Sequence, residues 1–361
     1  MVISVGIIAL LAIVAFGILA YIADKYIPED DSPHYVAKFL KENPNRSSIY
    51  LVRNDEVLAD KNSDTMFPLA STVKTIVAIE YAKQVGAGKI YPRESIELAD
   101  LEKYYLGLDG GAHPAWIKDF TEKGLIVNNQ AAIDDVAKGM IWYSSNANTE
   151  FLLDRLGFDN VNGNLNELGL TNHQKLYPFV SATLLPRQYP ISELKKMPLD
   201  EYIAHSFEIH EGLKSGTIDK SEQNYFLRLL RLFKSDDRIW SDRLPASTTK
   251  EYYSIVKKIN DRNYFDEKTQ AVLDNVLEAY LQNPKNREQF EHIGGKGGST
   301  AYVLTKTIYA TDKAGNKTEM CFFFNDLNLI EAAYLTDNLH KFEKLILTDE
   351  NFRNEVITIL N

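Results

Sequence analysis

A single cysteine, Cys321, stands in a chain of 361 residues, which rules out an intramolecular disulfide. It sits in the apolar run Met320-Cys321-Phe322-Phe323-Phe324 and reads as a buried strand residue, not a reactive thiol. Runs of basic residues are also missing, and a net charge of −10 argues against a nucleic-acid partner, whose phosphates demand a positive surface. No Gly-x-x-x-x-Gly-Lys loop is present to cradle a phosphate, and no His-Glu-x-x-His helix to hold zinc. His205, Glu208 and His210 cluster, but at the wrong spacing, so neither a metal nor a cofactor is expected. Internal repeats and low-complexity tracts are absent. With 45% hydrophobic and 25% charged residues, what remains is a folded chain with a sizeable core.

One long apolar run opens the chain. Residues 2–23 carry no charge and match the roughly 20 residues that a bilayer-spanning helix requires. Residues 1–23 are expected to be an uncleaved transmembrane anchor, since no Lys or Arg precedes the run and it exceeds a signal-peptide core. A cleaved signal peptide is the alternative, with Ala20 and Ala23 offering small residues near a cleavage point. Residues 24–46 read as an acidic, proline-punctuated stalk with the start of the first helix, and residues 47–361 as the folded domain. Only Lys25 flanks the run closely, so the charge rule for orientation has little to count.

Three short polar segments stand out: Ser71-Thr72-Val73-Lys74, Tyr143-Ser144-Ser145-Asn146 and Lys296-Gly297-Gly298-Ser299. The first puts a hydroxyl and an amine at i and i+3, on one face of a helix. Pro68 punctuates the entry, Ser71 or Thr72 can cap the first turn, and Val73, Ile76, Val77, Ile79, Ala82 and Val85 make the stretch apolar on most faces, as in a buried helix. Amides at its N-terminus would stabilise an oxyanion forming beside Ser71. A serine hydroxyl is a weak nucleophile and needs an adjacent base. A lysine serves when burial or a neighbouring cation lowers its pKa, and Lys296 is the candidate neighbour. Alone, Ser-x-x-Lys is usually a surface helix pair, Ser-Ser-Asn a turn or cap, and Lys-Gly-Gly-Ser a loop. Their joint appearance in this order, with a helix expected at the first and a strand at the third, reads as a serine acyl-transfer site.

These residues resemble the serine β-lactamase and penicillin-binding-protein superfamily, most closely its class A β-lactamase-like branch, over about residues 47–347. Phe67-Pro68-Leu69-Ala70-Ser71-Thr72-Val73-Lys74-Thr75 is similar to the family's nucleophile helix. Met140-Ile141-Trp142-Tyr143-Ser144-Ser145-Asn146-Ala147-Asn148-Thr149 resembles the second motif, followed by the apolar Phe151-Leu152-Leu153, and Pro245-Ala246-Ser247-Thr248-Thr249 the segment that opens a helix before the third. The resemblance implies Ser71 as acylated nucleophile, Lys74 as its general base, and Ser144 as the relay of a proton to the leaving nitrogen. Lys296 would supply positive potential for a substrate carboxylate, and the backbone amides of Ser71 and Ser299 an oxyanion hole. Asn146, with Gly298 and Thr300, would contact substrate, and Tyr105 or Tyr104 would form an aromatic wall at the cleft entrance. The implied partner is a β-lactam or a peptidoglycan-like peptide, met by a domain outside the cell membrane.

Two departures qualify this. The family's third motif reads Lys, then Thr or Ser, then Gly, whereas the middle position here is Gly297, so carboxylate recognition is expected to be either weaker or shifted to Ser299 and Thr300. Class A enzymes place a glutamate after the second motif to activate the deacylating water, and residues 171–186 contain no Asp or Glu. Glu167, just upstream, reads as a capping or solvated residue at a helix end, and His173 as a surface residue. The expected activity is that of a membrane-anchored serine hydrolase or acyltransferase, resembling a D-alanyl-D-alanine carboxypeptidase. It forms an acyl-enzyme with β-lactams or D-Ala-D-Ala-like amides and clears it slowly. A true β-lactamase and a non-catalytic sensor domain that binds wall peptides or β-lactams are the alternatives.

The expected fold is α/β (α+β) and β-lactamase-like. Residues 35–40 read as a helix, and residues 48–53 and 56–60 as a hairpin turning at Asn54-Asp55. A helical middle runs from Ser71 to around Tyr280, with residues 191–240 as an added helical portion. Residues 302–311 and 318–325 read as strands around Lys313-Ala314-Gly315-Asn316, and residues 330–347 as a helix. One antiparallel sheet formed by both chain ends would pack with a helical lobe. The cleft would lie between the sheet, carrying Lys296, and the lobe, carrying Ser71 and Ser144.

Overall fold

The computed structural model describes residues 31–218 and 235–361. The run expected to span a membrane, residues 2–23, lies outside the described residues, as does the stretch 219–234 of the added helical portion. Among the described residues no helix is long and apolar enough to cross a membrane. The chain divides into two compact units, one of residues Pro44–Asp326 and one that joins the residues up to Asn43 with Leu327–Asn361.

The larger unit is built on a five-stranded antiparallel sheet: β1 (Ser47–Arg53), β2 (Glu56–Lys61), β3 (Phe290–Ser299), β4 (Leu304–Asp312) and β5 (Lys317–Phe324). Their spatial order is β2-β1-β5-β4-β3, so the early and late segments meet where β1 pairs with β5, from Ser47 opposite Phe324 to Arg53 opposite Thr318. Arg53 pairs with Glu56 across a two-residue turn in which Asn54 and Asp55 adopt φ of 50° and 65°. Asn and Asp tolerate that left-handed backbone, and its twist suits a hairpin. Met320 to Phe324 are fully buried in β5. Cys321 is therefore a strand residue of the core, as expected, and burial pushes its thiol well up. The strand expected from residue 302 begins only at Leu304. The Thr300 hydroxyl accepts from the N–H of Tyr302 and of Val303, each at 3.1 Å, and holds residues 300–303 as a turn.

The helix Lys74–Gly86 is buried from Lys74 to Ala82 and packs against the helices Asn146–Leu156, Phe158–Glu167 and Glu267–Leu277. Its approach, Phe67–Pro68, pairs with Ala246–Ser247, and Thr248 then caps the helix Thr249–Asp261 by accepting from Glu251 N at 3.1 Å. Neither Ser71 nor Thr72 caps the nucleophile segment, contrary to expectation. Ala70–Val73 is a 3-10 turn without a side-chain cap. The helical middle also holds a small sheet of Ser95–Glu97, Ile126–Val127 and Gln130–Ala132, strands too short to show a period in sequence. Within the added portion the described elements are the helices Ile191–Leu194, Leu199–Ser215 and Ser235–Asp242.

The smaller unit packs the helix His34–Glu42 with Leu329–Thr348 and Glu350–Leu360. The His34 ring lies 4.8 Å from that of Phe352, and its Nε2 lies 2.8 Å from a Glu355 carboxylate oxygen. Asn328 and Glu331 form a capping box at the start of the first long helix. Asp349 accepts from Phe352 N at 3.0 Å and restarts the chain as the last helix, which the sequence pattern did not indicate.

Candidate active site

Ser71 stands second in the 3-10 turn Ala70–Val73, half-exposed, and its hydroxyl has no hydrogen-bond partner among the described residues. Ala70 before it adopts φ of 45°, a left-handed backbone that costs a non-glycine residue on the order of 1 kcal/mol and must be held by its surroundings. Leu69 supplies that hold: its N–H donates to Pro245 O at 3.0 Å and its carbonyl accepts from Thr305 Oγ1 at 2.7 Å. Thr72 Oγ1 lies 2.8 Å from the same Thr305 hydroxyl. β3 then runs hard against the turn. A Cβ on Gly298 would lie 2.4 Å from Ser71 N and 2.7 Å from Thr72 N, so only glycine permits the approach. Gly298 thus works by packing, and it sets the exposed Ser299 at the end of the strand that abuts Ser71.

Two amines converge on one hydroxyl. Lys74, fully buried, donates to Ser144 O at 2.7 Å, to Asn146 Oδ1 at 2.9 Å and to Ser144 Oγ at 3.3 Å. Lys296 donates to the same Ser144 Oγ at 3.0 Å and to Gly297 O at 2.6 Å. Burial lowers Lys74 to about 7, against the opposing pull of the Asp109 and Glu150 carboxylates. Burial, with repulsion from Lys74 and Lys306, holds Lys296 well below the ordinary lysine value. The Ser144 backbone is left-handed, with φ of 67°, and follows a π turn over Gly139–Tyr143. Such a turn re-aims the residue that leaves it. The i, i+3 spacing does not produce a Ser71–Lys74 hydrogen bond here, because Ser144 and Asn146 claim the amine.

An ammonium has no acceptor to offer, so Asn146 meets Lys74 with Oδ1 and keeps Nδ2 as a donor. Thr300 is drawn elsewhere: its hydroxyl holds its own turn and lies 2.7 Å from Ser241 Oγ. Tyr105 leans on His113, ring centres 4.9 Å apart, and Tyr104 is buried and stacked on His210 at 5.0 Å. Glu167 is solvated as expected and pairs with Lys83. His173 is not the surface residue expected; it is buried, with Nε2 3.1 Å from Tyr252 Oη and Nδ1 2.6 Å from Gln174 O. Burial lowers it to about 4.

His205, Glu208 and His210 do not share a centre. His205 Nδ1 meets Glu208 at 2.8 Å, whereas His210 turns inward to Glu150 at 2.8 Å. Among the described residues two other groupings bring ligand-type atoms together, Asp154 with His210 and Glu211, and Asp274 with Glu278 and His292. Each already contains a cation: Lys214 lies 2.7 Å from Asp154, and Arg262 2.6 Å from Asp274.

Three contributors were missed in sequence. Lys306, on β4, pairs with Gly297 on β3 and reaches the Tyr280 hydroxyl at 2.5 Å. Asp109 accepts from the backbone of the second motif, with Oδ2 3.4 Å from Asn146 N. Glu150, fully buried, accepts from Val180 N at 2.8 Å and from Ser181 N at 3.3 Å. Only Lys306 carried a signal, its place across the strand pair that follows the third motif.

Residues 34–264 match the sequence model of the beta-lactamase enzyme family, a span that includes Ser71, Lys74, Ser144 and Asn146 and ends before Lys296. Among solved structures, the chromosome-encoded β-lactamase of Vibrio parahaemolyticus is similar at a TM-score of 0.54 and 12% identity, over 88% of this chain and all (100%) of that one. A β-lactamase from Chitinophaga pinensis DSM 2588 gives 0.52 and 12%, over 86% and 98%. The β-lactamase from Sphaerobacter thermophilus DSM 20745 gives 0.50 and 18%, over 88% and 97%. At these identities the likeness shows the fold. No curated protein sequence matches the chain.

Proposed function

The chain belongs to the beta-lactamase enzyme family, and on that premise we propose that it forms an acyl-enzyme at Ser71 with β-lactams or D-alanyl-D-alanine-like amides and hydrolyses it slowly. The observation that carries the reading is the meeting of the Lys74 and Lys296 amines at Ser144 Oγ. An amine lowered to about 7 holds a usable lone pair near neutral pH. Lys74 leaves its longest contact, to Ser144 Oγ, and takes the Ser71 proton as Oγ bonds to the carbonyl carbon. The charge that develops on the carbonyl oxygen falls at the backbone N–H groups of Ser71 and Ser299. When the adduct collapses, the C–N bond breaks, Ser144 gives its proton to the nitrogen, and Lys74 passes the proton it took from Ser71 on to Ser144 Oγ. Asn146 Nδ2 donates to the acyl-side amide carbonyl. A substrate carboxylate at Lys296, with Lys306 behind it, favours the protonated form of both amines.

Slow release is supported by residues 171–186, which offer no carboxylate to deprotonate water, and by Glu167 and His173, which are engaged with Lys83 and Tyr252. We place the enzyme at a cell membrane on the uncharged run of residues 2–23, and at its outer face on the family resemblance, whose implied substrates are β-lactams or wall peptides.

A fluorescent penicillin should label the wild type and leave Ser71→Ala unlabelled. Intact-mass spectra over time should show one acyl adduct that persists. Rapid loss of the adduct with turnover of a chromogenic cephalosporin would make the protein a true β-lactamase, and no adduct at all would leave a binding domain.

A further inference from the structure

Asp109 sits at the turn of a short loop, Gly107-Leu108-Asp109-Gly110-Gly111, ahead of the helix Ala112–Glu122. Gly110 and Gly111 follow it with φ of 63° and 87°, a left-handed pair that folds the loop back and that other residues rarely adopt. Its Oδ2 accepts two backbone N–H groups, His113 N at 3.1 Å and Asn146 N at 3.4 Å. These belong to the first turns of two helices, Ala112–Glu122 and Asn146–Leu156, whose positive ends therefore face one carboxylate. Its Oδ1 is buried and has no hydrogen-bond partner among the described residues. A carboxylate oxygen removed from water in this way is costly unless a positive potential lies nearby. Lys74 supplies that potential, bonded to the Oδ1 of the very asparagine whose N–H Asp109 holds.

We propose that Asp109 is a positioning residue of this site: it anchors Asn146 and keeps a negative charge opposite Lys74. As a role in acylation it rests on the acyl-enzyme reading above. The charged groups that face Lys74 are Asp109 from this loop, Glu150 from the helix Asn146–Leu156 and Lys296 from β3, with Lys306 of β4 behind it. The helices Phe158–Glu167 and Glu267–Leu277 also pack on the Lys74 helix, but they direct Glu167 to Lys83 and Asp274 to Arg262. Burial drives Lys74 toward the neutral amine. The Asp109 charge, with that of Glu150, opposes it and keeps the amine basic enough to accept a proton while part of it stays unprotonated near neutral pH.

The test uses the full chain with 13C,15N-labelled lysine, the Lys74 side-chain signal being identified by its loss in Lys74→Arg. Asp109→Asn keeps an acceptor oxygen for His113 N and Asn146 N and removes the charge. The Lys74 titration should move to lower pH by about one unit, and the rise of penicillin acylation with pH should move with it. Asp109→Glu restores the charge and should bring both back toward the wild type. A Lys74 titration that stays in place or moves up in a folded Asp109→Asn protein overturns the proposal. The titration needs no substrate, so a protein whose Lys74 signal shifts but which no penicillin labels leaves the placement of Asp109 standing and brings down the acyl-enzyme reading.

Discussion

Gly297 and Lys306 pair across adjacent antiparallel strands, and the lysine lies over the glycine: a Cβ at residue 297 would stand 3.3 Å from Lys306 Cδ and 3.9 Å from Nζ. Residue 297 itself carries no side chain, so the group nearest that position is the Lys306 stem with its amine. Lys306→Gln should therefore slow acylation by an anionic penicillin about tenfold, equivalent to ~1.4 kcal/mol. Labelling rates at low and high salt would measure this, and a rate equal to the wild type at low salt would remove Lys306 from substrate recognition.

The two glycines of the third segment should respond differently. Gly298→Ala drives a Cβ to 2.4 Å from the Ser71 backbone nitrogen, which cannot yield, and should cost about 3 kcal/mol together with penicillin labelling. Gly297→Ala meets the flexible stem of Lys306 at 3.3 Å and Thr305 O at an ordinary contact of 3.5 Å, and should cost less than about 1 kcal/mol. Urea unfolding of the two variants decides the matter; equal destabilisation would contradict the close approach of β3 to Ser71.

Acylation should rise with pH through about 7, because the Lys74 amine acts as base only once its proton is lost. Below that point the rate should fall about tenfold per pH unit. Single-turnover labelling from pH 5 to 9 tests it, and a flat profile would exclude Lys74 as the base.

His210 predicts a pH dependence of stability. Burial lowers its pKa, but the Asp154 and Glu150 carboxylates more than offset this and push it up to about 9. The folded value lies above the ordinary value of about 6.5, so the stabilisation is complete below about 6.5 and fades as pH rises through about 9. The loss should be on the order of 3 kcal/mol, and His210→Gln should flatten that part of the curve. Denaturant midpoints at pH 6 and 9.5 for both proteins provide the check; parallel curves would show that His210 carries no charge in the fold.

Much of the fold was legible because it is encoded locally. The Asn54-Asp55 turn and the buried run around Cys321 each declare themselves within a few residues. Strands of two or three residues did not, and neither did the turn at Thr300, which depends on a hydroxyl folding back on its own backbone. His173 was misjudged because its burial depends on Tyr252, far along the chain.

By itself the sequence determined the chemical groups of the site: Ser71 and Lys74 at one spacing, Ser144 and Asn146 at another, and Lys296 ahead of two glycines. Those relations are short-range, and side-chain periodicity translates them into shared faces. Tertiary structure alone decided where each group points. It turned Lys74 from Ser71 toward Ser144, brought Lys306 over Gly297, and set Asp109 against Asn146. Hydrogen bonds and charge act over a few ångströms of space regardless of separation along the chain, so only the packed fold could choose those partners.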